Sequence, residues 1–218
     1  MRRVRLVYYL DVLSSWCLVA EGALDKVRRE FGDRLEYEWR IAALRDSFDY
    51  TPEQMAFYYR RTHAISGVLL NPVWLESTAD GSKWANLAAE AARGLGCTDD
   101  RVRLALATGA MLEEKHMSRR DVVVETAAKA GGLDPAVLEK AMDDPAAAER
   151  IRASSAEFAK YNVDVRPTFV VRSAISDTSV LSGCWRYELL AQAIRTALDD
   201  QDTFDGFMAE NRAPAGAV

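Results

Sequence analysis

The stretch Val4-Arg5-Leu6-Val7-Tyr8-Tyr9-Leu10-Asp11-Val12-Leu13-Ser14-Ser15-Trp16-Cys17 decides how this chain is read. Val4 to Leu10 is rich in β-branched and aromatic residues and predicts a buried strand. Asp11 to Ser15 supplies a turn ending in helix N-cap residues, and from Trp16 to Phe31 the apolar positions Leu18, Val19, Leu24 and Val27 recur at helical spacing. Gly32-Asp33 stops that helix. Leu35 to Ile41 then alternates apolar and charged residues, as a half-buried strand does, so the chain opens with a β-α-β unit whose short connections suit a right-handed crossover.

Beyond Thr51 the character changes. Thr51-Pro52-Glu53 reads as a helix start, and Ser82 to Gly94, Asp99 to Glu114, Arg119 to Ala130, Pro135 to Met142 and Pro145 to Tyr161 are Ala/Leu/Glu/Arg-rich segments with helical spacing. Leu95-Gly96, Gly131-Gly132 and Asp143-Asp144-Pro145 separate them. Val163 to Val171 is a second β-rich run, Thr178 to Ser182 a short strand, and Tyr187 to about Leu198 a last helix, with an Ala-, Pro- and Gly-rich end that predicts fraying. Two β-containing ends around a helical block describe one α/β domain whose sheet is assembled from sequence-distant halves.

With 218 residues, 49% hydrophobic and 28% charged, the composition is that of an ordinary globular protein and excludes disorder. No stretch approaches the ~20 apolar residues needed to cross a bilayer. A net charge of −5 offers no positive field for nucleic acid. Met1 to Leu10 superficially resembles the start of a signal peptide, but Asp11 ends the apolar run too early and no small-residue cleavage site follows, which makes a cytoplasmic protein the expectation. Cys17, Cys97 and Cys184 are odd in number and lack a CxxC pair, and His63 and His116 lie far from them. Neither a disulfide scaffold nor a metal site is expected, and the thiols are expected to be reduced.

Two segments carry candidate chemistry. Side chains at the Ser14–Cys17 turn sit at the positive end of a helix dipole beside orphan N–H groups, which favour an anion such as a thiolate; alternatively Ser14 or Ser15 merely caps the helix and Cys17 is an inert buried thiol. In Arg166-Pro167-Thr168-Phe169, a proline opening a strand removes a ladder donor, and X-Pro is the bond type that readily becomes cis. A cis bond there would leave the backbone of Arg166 facing the first helix; an ordinary trans proline at a strand start is the competing reading. His63 with Arg60, Arg61, Tyr58 and Tyr59 forms a cluster suited to an acidic or aromatic substrate, or simply a polar helix face. Trp74, Trp84, Met55 and Phe57 line a pocket or belong to the core, and His116 falls at a break in the helical block.

Together these residues resemble the DsbA superfamily of thioredoxin-like proteins: a strand, D-x-x-S-S-W-C at a helix start, a helical insertion, V-R-P-T-F-V-V, and a last helix opened by Ser182-Gly183 and Tyr187-Glu188-Leu189-Leu190. FrnE-like oxidoreductases, kappa-class glutathione transferases and 2-hydroxychromene-2-carboxylate isomerases are the branches it is most similar to. The resemblance implies an α/β thioredoxin-like fold with a large all-helical insertion. Residues 1–50 and 160–200 would form the discontinuous thioredoxin-like domain, 51–159 the insertion and 201–218 a C-terminal tail. A homodimer is left open.

FrnE-like members carry C-P-W-C in the turn, whereas Ser14 and Ser15 stand here for the first cysteine and the proline. A serine hydroxyl forms no disulfide, so ordinary dithiol exchange is disfavoured. In the kappa-class and isomerase branches, the resemblance implies, such a serine donates a hydrogen bond to the sulfur of glutathione, and the residue before the cis-proline pairs with its backbone. A hydrogen bond to a charged group contributes about 1.5–3 kcal/mol, enough for Ser14 to lower a bound thiol from about 8.5 to roughly 6.5–7.5. Catalytic roles thus fall on Ser14, Cys17 and Pro167, and thiol or substrate binding on Ser15, Trp16, Arg166, Thr168, Ser182, Gly183 and Arg186. Trp185 stands where kappa-type proteins place an acid, which turns attention from glutathione to other low-molecular-weight thiols. The leading expectation is a transferase or isomerase acting on an apolar electrophile with a bound thiol and no metal; residual oxidoreductase chemistry through Cys17 and a non-catalytic peptide- or substrate-binding module are the alternatives.

Overall fold

A computed structural model of the chain describes residues 3–44, 51–76 and 80–211. The elements in order are β1 (Val4–Leu10), α1 (Ser15–Phe31), β2 (Leu35–Ile41), α2 (Pro52–Ser66), α3 (Lys83–Gly94), α4 (Arg101–Met111), α5 (Arg120–Gly131), α6 (Pro135–Asp143), α7 (Pro145–Ala159), β3 (Thr168–Arg172), β4 (Thr178–Ser182) and α8 (Tyr187–Glu210). The four strands form one sheet in the order β2-β1-β3-β4, with β1 parallel to β2 and antiparallel to β3, and β3 antiparallel to β4.

Because side chains alternate across a strand, β1 feeds two layers. Val4, Leu6, Tyr8 and Leu10 enter the large core, while Val7 and Tyr9 face a smaller one with Ala42, Phe158 and Val170. Tyr8 stands opposite Phe169 in the β1–β3 register, and their rings stack at 4.6 Å between centroids. Such cross-strand aromatic pairs pin register, since a one-residue slip would move both rings to the wrong face.

The insertion is α2 to α7. Thr51 and Gln54 form a reciprocal capping box at the head of α2, and Asp134 and Asp144 cap α6 and α7, each followed by proline at the first helical position, where a missing N–H is harmless. Alanines along α3 are buried on almost every side and allow α4, α5, α6 and α7 to pack around it. The insertion is tied to the sheet half through charge. Arg103 of α4, only 3% exposed, pairs with Glu21 of α1 at 2.6 Å and with Asp100 at 2.7 Å, and Tyr37 of β2 joins them by donating to Asp100. Two carboxylates and a phenol satisfy that guanidinium, as a buried charge requires.

Several boundaries differ from expectation: the helix expected over Asp99 to Glu114 spans only Arg101–Met111, and two other differences bear on packing. Strand character expected from Val163 begins only at Thr168, because Pro167 offers no N–H to the ladder and Thr168 Oγ1 turns back to donate to the Val165 carbonyl at 2.8 Å. At the other end, α8 runs past Leu198 to Glu210, so residues 201–210 are helix rather than tail. Gln201 is fully buried and accepts from the Ala174 N–H, and Asp202 receives a two-pronged bond from Arg34 at 2.8 Å. Residues 212–218, the frayed end expected from the sequence, lie outside the described residues, as do residues 45–50 at the expected edge of the insertion.

Candidate functional site

Asp11 organises the turn between β1 and α1. Its carboxylate is completely buried: Oδ1 accepts from the Leu13 N–H at 3.1 Å, and Oδ2 accepts from the Leu44 N–H at 3.0 Å, Ser82 Oγ at 2.6 Å and Asn86 Nδ2 at 2.9 Å. Asn86 Oδ1 in turn accepts from the Val12 N–H at 3.0 Å, and the Ser14 N–H donates to the Asp11 carbonyl at 3.1 Å. Four donors on one carboxylate satisfy a buried charge and fasten the turn to the β2 end and to the head of α3. Sequence reading placed Asp11 at the start of the turn and in its motif but gave it no partners, and it missed Ser82 and Asn86.

Ser14 is the N-cap of α1, with extended backbone (φ −76°, ψ 120°), and its Oγ accepts from the Cys17 N–H at 3.4 Å. A hydroxyl that accepts one bond retains a proton to donate. Ser14 and Ser15 line a cavity of about 330 Å³ with Leu13, Trp16, Met55 and Trp74 among its walls. Trp74 is itself core, donating its indole N–H to Tyr59 at 2.6 Å, so it serves both as packing and as wall. Phe57 and Trp84, grouped with these residues on sequence grounds, do not line that cavity; Trp84 donates to Asp80 instead.

Cys17 lies beneath the turn, 3% exposed, and burial pushes its thiol up to about 12 in spite of a hydrogen bond from Ser14; the Asp11 charge pushes the same way. Of the two readings of this turn, burial in the apolar interior favours Cys17 as a buried protonated thiol over a thiolate at the helix end. Cys97 and Cys184 are also buried and free.

Opposite the turn, the Arg166–Pro167 peptide is cis. Among the described residues, neither the N–H nor the C=O of Arg166 takes part in a hydrogen bond, while its guanidinium donates to the carbonyls of Ala42 at 2.7 Å, Ala43 at 2.8 Å and Asp164 at 2.8 Å. The Gly183 N–H donates to the Pro167 carbonyl at 2.8 Å, with Gly183 at φ +68°, a region that favours glycine. A second cavity of about 260 Å³ is lined by Trp16, Arg61, Val165, Arg166, Pro167, Gly183 and Trp185, and it shares Trp16, Arg61, Val165 and Arg166 with the first.

Of the residues expected to bind thiol or substrate, the structure brings Ser15, Trp16, Arg166 and Gly183 to these cavities with Ser14 and Pro167. Thr168 does not reach them: it is fully buried, its hydroxyl bonded to Val165. Ser182 lies behind it, 3.5 Å from the Thr168 hydroxyl, and lines neither cavity. Arg186 stands over the Trp185 ring at 4.7 Å. His63 lines a separate small cavity with Leu69 and Pro72, and His116 lines none of these three. Among the described residues no group of His, Cys, Asp and Glu is arranged to hold a metal ion, and no helix is long and apolar enough to cross a membrane.

A turn at the head of the first helix facing a cis-proline at the start of an antiparallel strand defines a thioredoxin-like protein. The DSBA-like thioredoxin domain model matches residues 5–195, and the chain belongs to that family. Among curated proteins it is 23% identical over 219 residues to the ClpXP adapter protein SpxH of Halalkalibacterium halodurans, covering 94% of this chain and 69% of that one. Among solved structures it shares its fold with the cytosolic disulfide reductase DsbM from Pseudomonas aeruginosa (TM-score 0.70, 19% identity, 92% of this chain and 99% of that one), which has also been solved with GSH. A 2-hydroxychromene-2-carboxylate isomerase is similar too, with a TM-score of 0.63 and 16% identity over 91% of this chain and 98% of that one. Solved structures that share this fold thus include both a disulfide reductase and an isomerase.

Proposed function

We propose that this chain is an enzyme that borrows its thiol: Ser14 holds the sulfur of a bound low-molecular-weight thiol, and the larger cavity receives an apolar electrophile for a transferase or isomerase reaction. The observation that carries this reading is the division of labour in the turn, with the Ser14 hydroxyl at the cavity wall and the only cysteine of the turn buried and protonated below it. The bound thiol loses its proton to solvent, the Ser14 O–H stabilises the negative charge on sulfur, and the sulfur then bonds to an electrophilic carbon. In a transfer the leaving group departs with the pair of the bond that breaks. In an isomerisation the C=C π pair moves to a conjugated carbonyl oxygen and returns as the C–S bond breaks and the thiolate is expelled. Orphan N–H groups at the head of α1 act in the same direction. The main chain of Arg166, unpaired among the described residues, offers one donor and one acceptor to the backbone of a peptide-like thiol. That DsbM has been solved with GSH makes glutathione a natural first ligand to try. A cytoplasmic location, where such thiols are abundant, belongs to the same reading.

The test is calorimetric titration of the protein and of Ser14→Ala with glutathione, mycothiol and bacillithiol. At least one thiol should bind, with affinity falling about tenfold in the variant, the worth of one charge-assisted hydrogen bond. If none of them binds, or if the variant binds equally well, Ser14 is not a thiol site.

A further inference from the structure

The smaller cavity has a charge pattern that limits which thiol can occupy it. Among the described residues, its charged lining residues are Arg61 and Arg166. Among the described residues, neither forms an ion pair with a carboxylate: Arg166 is bonded to three main-chain carbonyls, and Arg61 lies over the Tyr58 ring at 5.2 Å. Arg186 is held over Trp185 and lines neither cavity. The aromatic part of the wall is Trp16 and Trp185, whose rings meet at 5.8 Å and 43°. Asp164 lines the larger cavity but not this one, Glu188 in the first turn of α8 lines neither, and the Asp11 carboxylate is buried behind the turn. A ligand extending from Ser14 past Pro167 leaves the cavity that Asp164 lines and enters one whose lining, among the described residues, offers two guanidinium groups and two indoles and no carboxylate.

We propose that this subsite selects a thiol whose amine is blocked, an N-acylated and anionic thiol in which a carboxylate or hydroxyl-bearing ring lies against Trp16 and Trp185 and accepts from Arg61. A free ammonium in the same place is opposed by like charge in a partly dehydrated cleft, where electrostatic mismatch is felt strongly. Guanidinium groups suit carboxylate oxygens through paired N–H donors, and indole faces take the apolar side of a ring. This inference rests on the bound-thiol reading above.

Glutathione and its N-acetylated form differ only at the amine and make the test. Both are titrated into the protein, Ser14→Ala, Arg61→Gln and Trp185→Glu. The acetylated form should bind about fivefold or more tightly than glutathione, Arg61→Gln should shrink that preference, and Trp185→Glu should reverse it by supplying a carboxylate. Both thiols should weaken in Ser14→Ala. If glutathione binds as well as or better than its acetylated form while both depend on Ser14, the charge selection is wrong and the bound-thiol reading stands. If neither binds in a Ser14-dependent way, both fall.

Discussion

The Cys17 N–H donates to Ser14 Oγ at 3.4 Å, so the residue that holds the cap and the residue that carries the only thiol of the turn are joined through the backbone, while their side chains face different surroundings. Ser14 borders the cavity and Cys17 is 3% exposed in the core. Native protein at pH 7–8 should therefore leave Cys17 unmodified by a thiol-specific reagent over a time in which unfolded protein reacts completely, measured by mass spectrometry of the modified peptide. Fast native labelling of Cys17 would restore the oxidoreductase reading.

The same burial gives a pH signature. Cys17 rises from the ordinary 9.0 to about 12 in the folded state. A folded value above the unfolded one means the folded form keeps a proton that the unfolded chain has lost, so the contribution is intact below about pH 9 and is lost as pH rises toward 12. Stability should decline across that window by up to about 4 kcal/mol from this group. Buried tyrosines titrate nearby, so urea unfolding of the protein and of Cys17→Ala should be compared: the variant should show the shallower decline.

Asp11→Ala removes the acceptor shared by Leu13, Leu44, Ser82 and Asn86. Buried donors left unsatisfied cost about 1–3 kcal/mol each, so a loss of about 3 kcal/mol or more in urea unfolding is expected, and less for Asp11→Asn, which keeps one carbonyl oxygen. Under conditions where the variant is folded, Ser14-dependent thiol affinity should drop as well, because the turn loses its anchor to α3.

Gly183→Ala should cost about 1–2 kcal/mol by urea unfolding, since φ +68° is disfavoured for any residue with a Cβ. The added methyl would meet Val165 at an ordinary 3.5 Å, so backbone conformation, not crowding, sets the penalty.

Ser14→Cys would place a thiol at the N-cap, beside the same orphan N–H groups, with Cys17 as its neighbour. The variant should react with thiol reagents at neutral pH and gain insulin-reducing activity. A variant that labels readily yet reduces nothing would show that the cavity lacks the geometry for exchange with a protein disulfide.

Most of the architecture was legible because periodicity reports local structure faithfully. Thr51-Pro52-Glu53 announced the start of α2, Asp143-Asp144-Pro145 marked the break before α7, and the β1 run announced a buried strand. What failed was tertiary. Asp199-Asp200-Gln201-Asp202 looks like the polar end of a helix, and only packing reveals that Gln201 is inside. Thr168 was placed in the site because it follows Pro167, but strand alternation and its bond to Val165 turn it inward. Asp11 was legible as the first residue of the turn motif but not as its anchor, because three of its four donors come from distant segments. Arg61 was legible as part of a cluster that could bind an acidic or aromatic substrate or be a polar helix face, with nothing to place it where two cavities meet.

The Arg166 guanidinium reaches the carbonyls of Ala42 and Ala43 across 124 and 123 residues of chain. That clamp ties the order of synthesis to the order of assembly. On the ribosome, β1, α1 and β2 emerge early but lack β3, the central neighbour of β1, until the whole insertion has been made. Loop closure over such a span is slow, and an incomplete sheet leaves the β1 edge open to other chains. The alanine-rich helices of α3 to α7, with their local contacts, can fold while the first strands wait, so this chain should depend on a chaperone or a slow translation rate more than its size alone would suggest.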